Sequence, residues 1–231
     1  MHWLKIIFRA TIAFWCCIGF IQFSHAENTV FPDSAVGLRV YLDQINFDYK
    51  DREKERLVLL KSLIEHTDML LKEKPNDPGL ETMAGFFNAQ YAGFKGGIGA
   101  LKYAKAARRH LEKSVKLDPQ LYQAAAHTIL GSLYYRVPGW PVGFGNKKKA
   151  EQNYKKAVEI APQGIDANFT YAQFLFREKR YNEAKTFLLL AQKATPRPER
   201  PRADKHLQER IVKRLGEVEE QLVKEKNKPA Q

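Results

Sequence analysis

Apolar residues recur along most of this chain at intervals of three and four, the spacing of a helix with one buried face. Leu57, Leu60, Ile64 and Leu71 form one such stripe, with Leu63 and Leu70 beside it. Leu207, Ile211, Leu215, Val218 and Leu222 form another within residues 203–226. Lys74-Pro75-Asn76-Asp77-Pro78 ends the first stripe, because proline removes a backbone donor and restricts the residue before it. A shorter helix is expected upstream, capped by Asp33 or Ser34 and running through Gln44, with Val36, Val40 and Tyr41 toward one face. Asp51 is the expected cap of the longer helix that follows. The pattern predicts an all-α chain.

Between Pro78 and Pro196 the helical pattern repeats. Leu80, Met83-Ala84 and Phe87 recur in spacing as His127, Leu130-Gly131 and Tyr134, and again as Asn168, Tyr171-Ala172 and Leu175. In the second half of each unit, Ala107, Ala150 and Ala184 each precede a proline (Pro119, Pro162, Pro196) by 12 residues. Small residues at these positions let paired helices approach, and the large ones fill the space between neighbours. The register resembles the tetratricopeptide repeat, whose units read W-x₂-L-G-x₂-Y in the first helix and A-x₃-F followed by Pro in the second. The resemblance implies a helix-pair solenoid of about four pairs over 33–196, the first pair degenerate. The segment 197–226 is expected to cap it, as a hinge at Arg197-Pro198-Glu199-Arg200-Pro201 followed by a long polar-faced helix over Ala203–Lys226, with 227–231 a disordered tail.

The units differ in length. Ala172 and Ala184 are 12 residues apart, which fits a 34-residue repeat, but Gly131 and Ala150 are 19 apart and Ala84 and Ala107 are 23 apart. Both additions carry glycines, Gly96-Gly97-Ile98-Gly99 and Gly139 through Gly145, expected to serve tight turns with positive φ. Extra loops on one edge of the solenoid are the expectation.

Residues 1–26 have the layout of a secretion signal: Lys5 and Arg9, an uncharged apolar run over 10–23, then Ser24-His25-Ala26. That run reaches only about 21 Å as a helix, short of a bilayer core of about 30 Å. Cleavage after Ala26 would put the protein in the periplasm or outside the cell, with 27–32 a linker; retention would leave the segment as the one membrane contact. Cleavage also removes Cys16 and Cys17, and with them any disulfide or thiol chemistry, and lowers the net charge from +12 to +10.

No catalytic motif is legible. His66, His110, His127 and His206 lack partners at zinc-ligand spacing, and Gly97-Ile98-Gly99 and Gly143-Phe144-Gly145 are too short for a phosphate-binding loop. No metal, cofactor or catalytic residue is expected. Basic residues gather on Lys102, Lys105, Arg108, Arg109, Lys113 and Lys116 and again between Arg197 and Arg214. A secretion signal and the lack of an aromatic stacking surface argue against nucleic acid.

The repeat resemblance implies that ligands meet the inner side of the first helices. The candidates there are Asn88, then Tyr135 and Arg136, then Gln173, Phe176 and Arg177, with Trp140 on the rim. Tyr135-Arg136 and Phe176-Arg177 repeat an aromatic-plus-arginine pair; arginine can hold a carboxylate through two parallel bonds. The Lys/Asn clamp of chaperone-binding repeats is absent. The expected partner is a protein or peptide with an anionic group. The loop Pro138–Ala150 is also similar to that of periplasmic TRAP-transporter T-component proteins. That implies the alternative of a small-ligand carrier with a cavity under the glycine loops.

Overall fold

The computed structural model describes residues 30–227; the expected signal peptide, most of the linker and residues 228–231 lie outside them. Nine α-helices and no strand are found among the described residues. They are α1 (Ala35–Asp48), α2 (Glu53–Glu73), α3 (Pro78–Lys95), α4 (Gly97–Leu117) and α5 (Leu121–Arg136). α6 (Lys147–Ile160), α7 (Ile165–Arg177), α8 (Tyr181–Gln192) and α9 (Pro201–Lys226) follow. The fold is an all-α solenoid of helix pairs. α3 packs on α4, α5 on α6 and α7 on α8 as antiparallel hairpins, and each pair lies against the next.

Local chemistry sets the ends. Ser34 caps α1 by accepting from the Gly37 amide at 3.2 Å. Asp77 caps α3 from the Leu80 amide at 2.9 Å, with Pro78 at the first helical position, where a missing donor costs nothing. Asn146 caps α6 from the Lys149 amide at 2.9 Å. Asp51 does not cap α2; that helix starts at Glu53 after Arg52, without a side-chain cap.

The repeat register appears directly in the packing. Ala84, Ala107, Ala150, Ala172 and Ala184 are all fully buried. Gly131 is where backbone meets ring: a Cβ there would stand 2.7 Å from the Tyr154 ring. Tyr154, Tyr171 and Phe174 then stack through the interior, 5.3–6.2 Å between centres. His127 occupies its large-residue slot half-buried, Nδ1 against Asn153 Oδ1 at 3.0 Å. α9 covers the last pair with Leu207, Ile211 and Val218.

The two additions take different forms. The one between Ala84 and Ala107 makes no loop: it lengthens both helices, and Gly96 alone joins them, with Gly96 and Gly97 at φ of 61° and 63°. The one between Gly131 and Ala150 is a real loop over 137–146; its glycines do not take the expected positive φ, and Gly143 and Gly145 serve close approach instead, since a Cβ on Gly145 would lie 1.8 Å from the Val137 carbonyl oxygen. The expected hinge at Arg197 is pinned. Arg197 is buried, its amide donates to Asp204 Oδ2 at 2.6 Å, and its guanidinium holds Asp204 Oδ1 and Asp166 Oδ2 at 2.5 Å each.

Candidate functional site

α3, α5 and α7 run in the same direction, because each is followed by one antiparallel helix, and their exposed sides form a common trough. α1 and the start of α9 border it. Two cavities occupy this trough. The larger, about 470 Å³, lies between α1, α3 and α5 and is lined by Met83, Phe86, Ala89 and Ile129 with Arg39 and Tyr122. The smaller, about 350 Å³, lies between α5, α7 and α9 and is lined by Tyr135, Gln173, Phe174, Arg177 and Arg210. Ser132, Arg136, Asp166 and Thr170 line both, so one trough runs from an apolar half into a cationic half.

The charges are unbalanced. Arg39, Arg136, Arg177, Arg200 and Arg210 face the trough against one carboxylate, Asp166, which Arg197 and Arg200 already hold at 2.5 and 3.4 Å. Burial, then the neighbouring Arg200 and Arg197 guanidiniums, push the Arg39 pKa below its ordinary value. Its guanidinium rests over the Tyr122 ring at 4.7 Å and makes no ion pair with a described residue. Burial and the charge of Arg214 push Arg210 down as well, over the Phe169 ring at 4.9 Å. Arg200 is different. Burial opposes its charge, but the bonds to Asp43 overcome this and raise it. An arginine whose charge is disfavoured by its surroundings gains from an incoming anion.

Tyr135, Arg136, Gln173 and Arg177 thus come together, as the spacing of the two aromatic-plus-arginine pairs implies. The Tyr135 hydroxyl donates to Glu178 Oε1 at 2.9 Å, and Lys147 Nζ reaches Glu178 Oε2 at 2.9 Å, which fixes the end of the trough. Burial and that bond raise the Tyr135 pKa. Tyr154, below the trough floor, is pushed up to about 12 by burial, and its hydroxyl donates to Ser132 Oγ at 3.2 Å.

Three candidates lie elsewhere. Asn88 is buried, and its amide donates to the Ala84 carbonyl at 2.9 Å within its own helix. Phe176 lies against Tyr181, 5.4 Å between centres, and beneath Arg214 at 4.4 Å, so only its neighbour Arg177 reaches the trough. Trp140 is 89% exposed and lines neither cavity. Arg39 and Arg210 escape a reading of the repeats because they belong to α1 and α9. The one available signal is that Arg210 falls in the second basic cluster. Among the described residues no group of three or more His, Cys, Asp or Glu is arranged to hold a metal ion.

Comparison with known proteins agrees with this architecture. Residues 143–204, which span α6 to α8 and the start of α9, match the tetratricopeptide repeat family. The chain is 30% identical over 154 residues to the type IV pilus assembly protein PilF of Pseudomonas aeruginosa. That alignment takes in 66% of this chain and 53% of the relative, so the chain spans about half the length of the curated protein it matches. The family match over residues 143–204 and the repeated helix pairs around it together support a tetratricopeptide-repeat assignment.

Proposed function

We propose that this chain is an exported interaction module that holds an acidic segment of a protein partner in the trough between α3, α5 and α7. The observation that carries the reading is the imbalance there: Arg39, Arg136, Arg177 and Arg210 have no ion-pair partner among the described residues, and the one lining carboxylate, Asp166, is already held by Arg197 and Arg200. Side by side in the smaller cavity, Arg136, Arg177 and Arg210 can hold carboxylates, with Tyr135 and Gln173 as polar contacts. The larger cavity supplies apolar contact for the flanking side chains. Tetratricopeptide repeats hold other proteins, and the relative's name ties it to assembly of a pilus; both favour an adaptor or scaffold over a catalyst. Export rests on the layout of residues 1–26.

Calorimetric titration with a synthetic glutamate-rich peptide carrying apolar residues, against its lysine counterpart, tests the trough. Binding should be selective for the acidic peptide, weaken with salt, and be lost when Arg136→Ala is combined with Arg177→Ala. Undiminished binding in that variant refutes the assignment and moves attention to the basic face of α4.

One observation favours a second reading, a carrier or transporter accessory for a small molecule. The larger cavity falls within the size range of ligand pockets, and its wall is mostly apolar. Native mass spectrometry of the freshly purified protein separates the two: a retained small molecule supports the carrier, a retained polypeptide the adaptor.

A further inference from the structure

The loop over 137–146 carries two large rings and sends them in opposite directions. Phe144 turns inward, edge-on to Tyr134 at 5.7 Å and beneath the Arg108 guanidinium at 4.4 Å. Trp140 turns outward at 89% exposure, and Val142 follows at 65%. The loop is well braced. The Asn146 amide donates to the Tyr134 carbonyl at 2.7 Å, Gly145 to Pro138 at 2.8 Å, and Gly143 to Gly139 at 3.0 Å. An indole held out in water by a braced scaffold marks a contact surface.

The surroundings of Trp140 indicate what it contacts. α3 turns into α4 at Gly96, and α4 turns into α5 within three residues, so α3 and α5 run the same way and end at the same edge. At the tip of α3–α4, Ile98 is 95% exposed. Lys95, Lys102, Lys147, Lys148, Lys149 and Lys179 are exposed along this edge. Its acids are engaged: Glu178 by Tyr135 and Lys147, Glu151 and Glu183 by Arg180. Lys148 makes no ion pair with any described residue.

We infer that this edge docks onto an anionic lipid surface, with Trp140 and Val142 entering the headgroup region and the lysines meeting lipid phosphates. Trp is the side chain best suited to a membrane–water boundary, one part apolar and one part able to donate. Lysines near a surface are drawn to anionic lipid. Protein interfaces are depleted in Lys and enriched in Arg, and here the six exposed lysines outnumber the exposed arginines at these helix ends, Arg136 and Arg177, while Arg180 is already paired. Sequence alone confines membrane contact to the N-terminal apolar run; this edge is built from other residues and adjoins the end of the trough at Lys147 and Glu178.

The test uses the chain from Glu27 onward, which keeps every core residue described above. Trp140 is its sole tryptophan, the others being Trp3 and Trp15, so indole emission reads the loop alone. Vesicles of phosphatidylglycerol mixed with phosphatidylethanolamine are compared with phosphatidylcholine vesicles. Emission should move to shorter wavelength and the protein should sediment with the anionic vesicles only, with release in about 0.5 M salt. Trp140→Ser, and separately Lys102→Glu with Lys148→Glu, should weaken sedimentation on the order of tenfold or more at unchanged melting temperature. The inference is overturned by unshifted emission, by equal binding to neutral vesicles, or by undiminished sedimentation of Trp140→Ser. A Trp140-dependent complex with a protein, formed without vesicle binding, overturns it too.

Discussion

Arg200 and Asp43 stand 157 residues apart in sequence and meet through two bonds of 2.7 Å, Nε donating to Oδ2 and Nη2 to Oδ1. Arg202 repeats the connection with Asp48 at 2.9 Å, and the His206 and Phe47 rings meet edge-on at 5.8 Å. α1 is thereby tied to the start of α9. The Arg200–Asp43 pair is mostly shielded from water, whereas Arg202–Asp48 is exposed. The first should matter to stability and the second little.

Asp43→Ala therefore should lower stability by about 1.5–3 kcal/mol, because it leaves the half-buried Arg200 guanidinium beside Arg39 and Arg197 with only the 3.4 Å contact to Asp166. Asp48→Ala should cost less than about 1 kcal/mol. Denaturant unfolding of the two variants checks this; equal losses would contradict the assigned burial.

Acid should act through Asp204. Burial works against its charge, but the side-chain and backbone bonds from Arg197 prevail and hold it below the ordinary carboxylate value. A depressed folded value contributes stability that is complete above the unfolded value near about 4 and is lost as pH falls through the folded one. The melting temperature should therefore stay level from neutrality to about pH 5 and fall below about pH 4. Asp204→Asn should be less stable at neutral pH and should show a shallower acid slope.

Gly131→Leu should overpack the contact with Tyr154, whose ring atoms lie 2.7 Å from the position of a new Cβ, and cost about 1–3 kcal/mol or more. Ser132→Ala is the matched control. It loses the Tyr154 hydroxyl bond at the trough wall but adds no volume, so it should cost only about 1 kcal/mol. Thermal melts distinguish them.

The two rings of the 137–146 loop should respond oppositely. Trp140→Ala should leave stability within about 0.5 kcal/mol, the range of exposed substitutions away from packing. Phe144→Ala removes the ring wedged between Tyr134 and Arg108 and should cost at least about 1 kcal/mol. A large loss from Trp140→Ala would mean that the indole packs down on the solenoid.

Intact-mass measurement on protein recovered from the periplasm or medium should give a mature chain beginning at Glu27. A full-length mass there would mean that the apolar run is retained.

The repeats were legible because their logic is local. Ala107, Ala150 and Ala184 sit at one offset from a proline, and burial follows from that register. Arg136 and Arg177 reach one cavity for the same reason. Phe176 does not, because α9 brings Arg214 over its ring, a contact between segments far apart in sequence. Arg39 and Arg210 were out of reach on the same grounds. The addition between α3 and α4 misled through composition: a glycine cluster reads as a loop, yet Gly96 alone makes the reversal and its neighbours join the helix.

The tie between α1 and α9 changes the mechanical character of the molecule. An untethered stack of helix pairs behaves as a spring, its pitch altered by small rotations shared among many units. With Arg200 and Asp43 joined, α1 and the start of α9 are held together beside the trough, so its width cannot change without straining that pair. A guest then meets a groove of set width, and freeing that width requires Arg202–Asp48 and Phe47–His206 to part along with Arg200–Asp43.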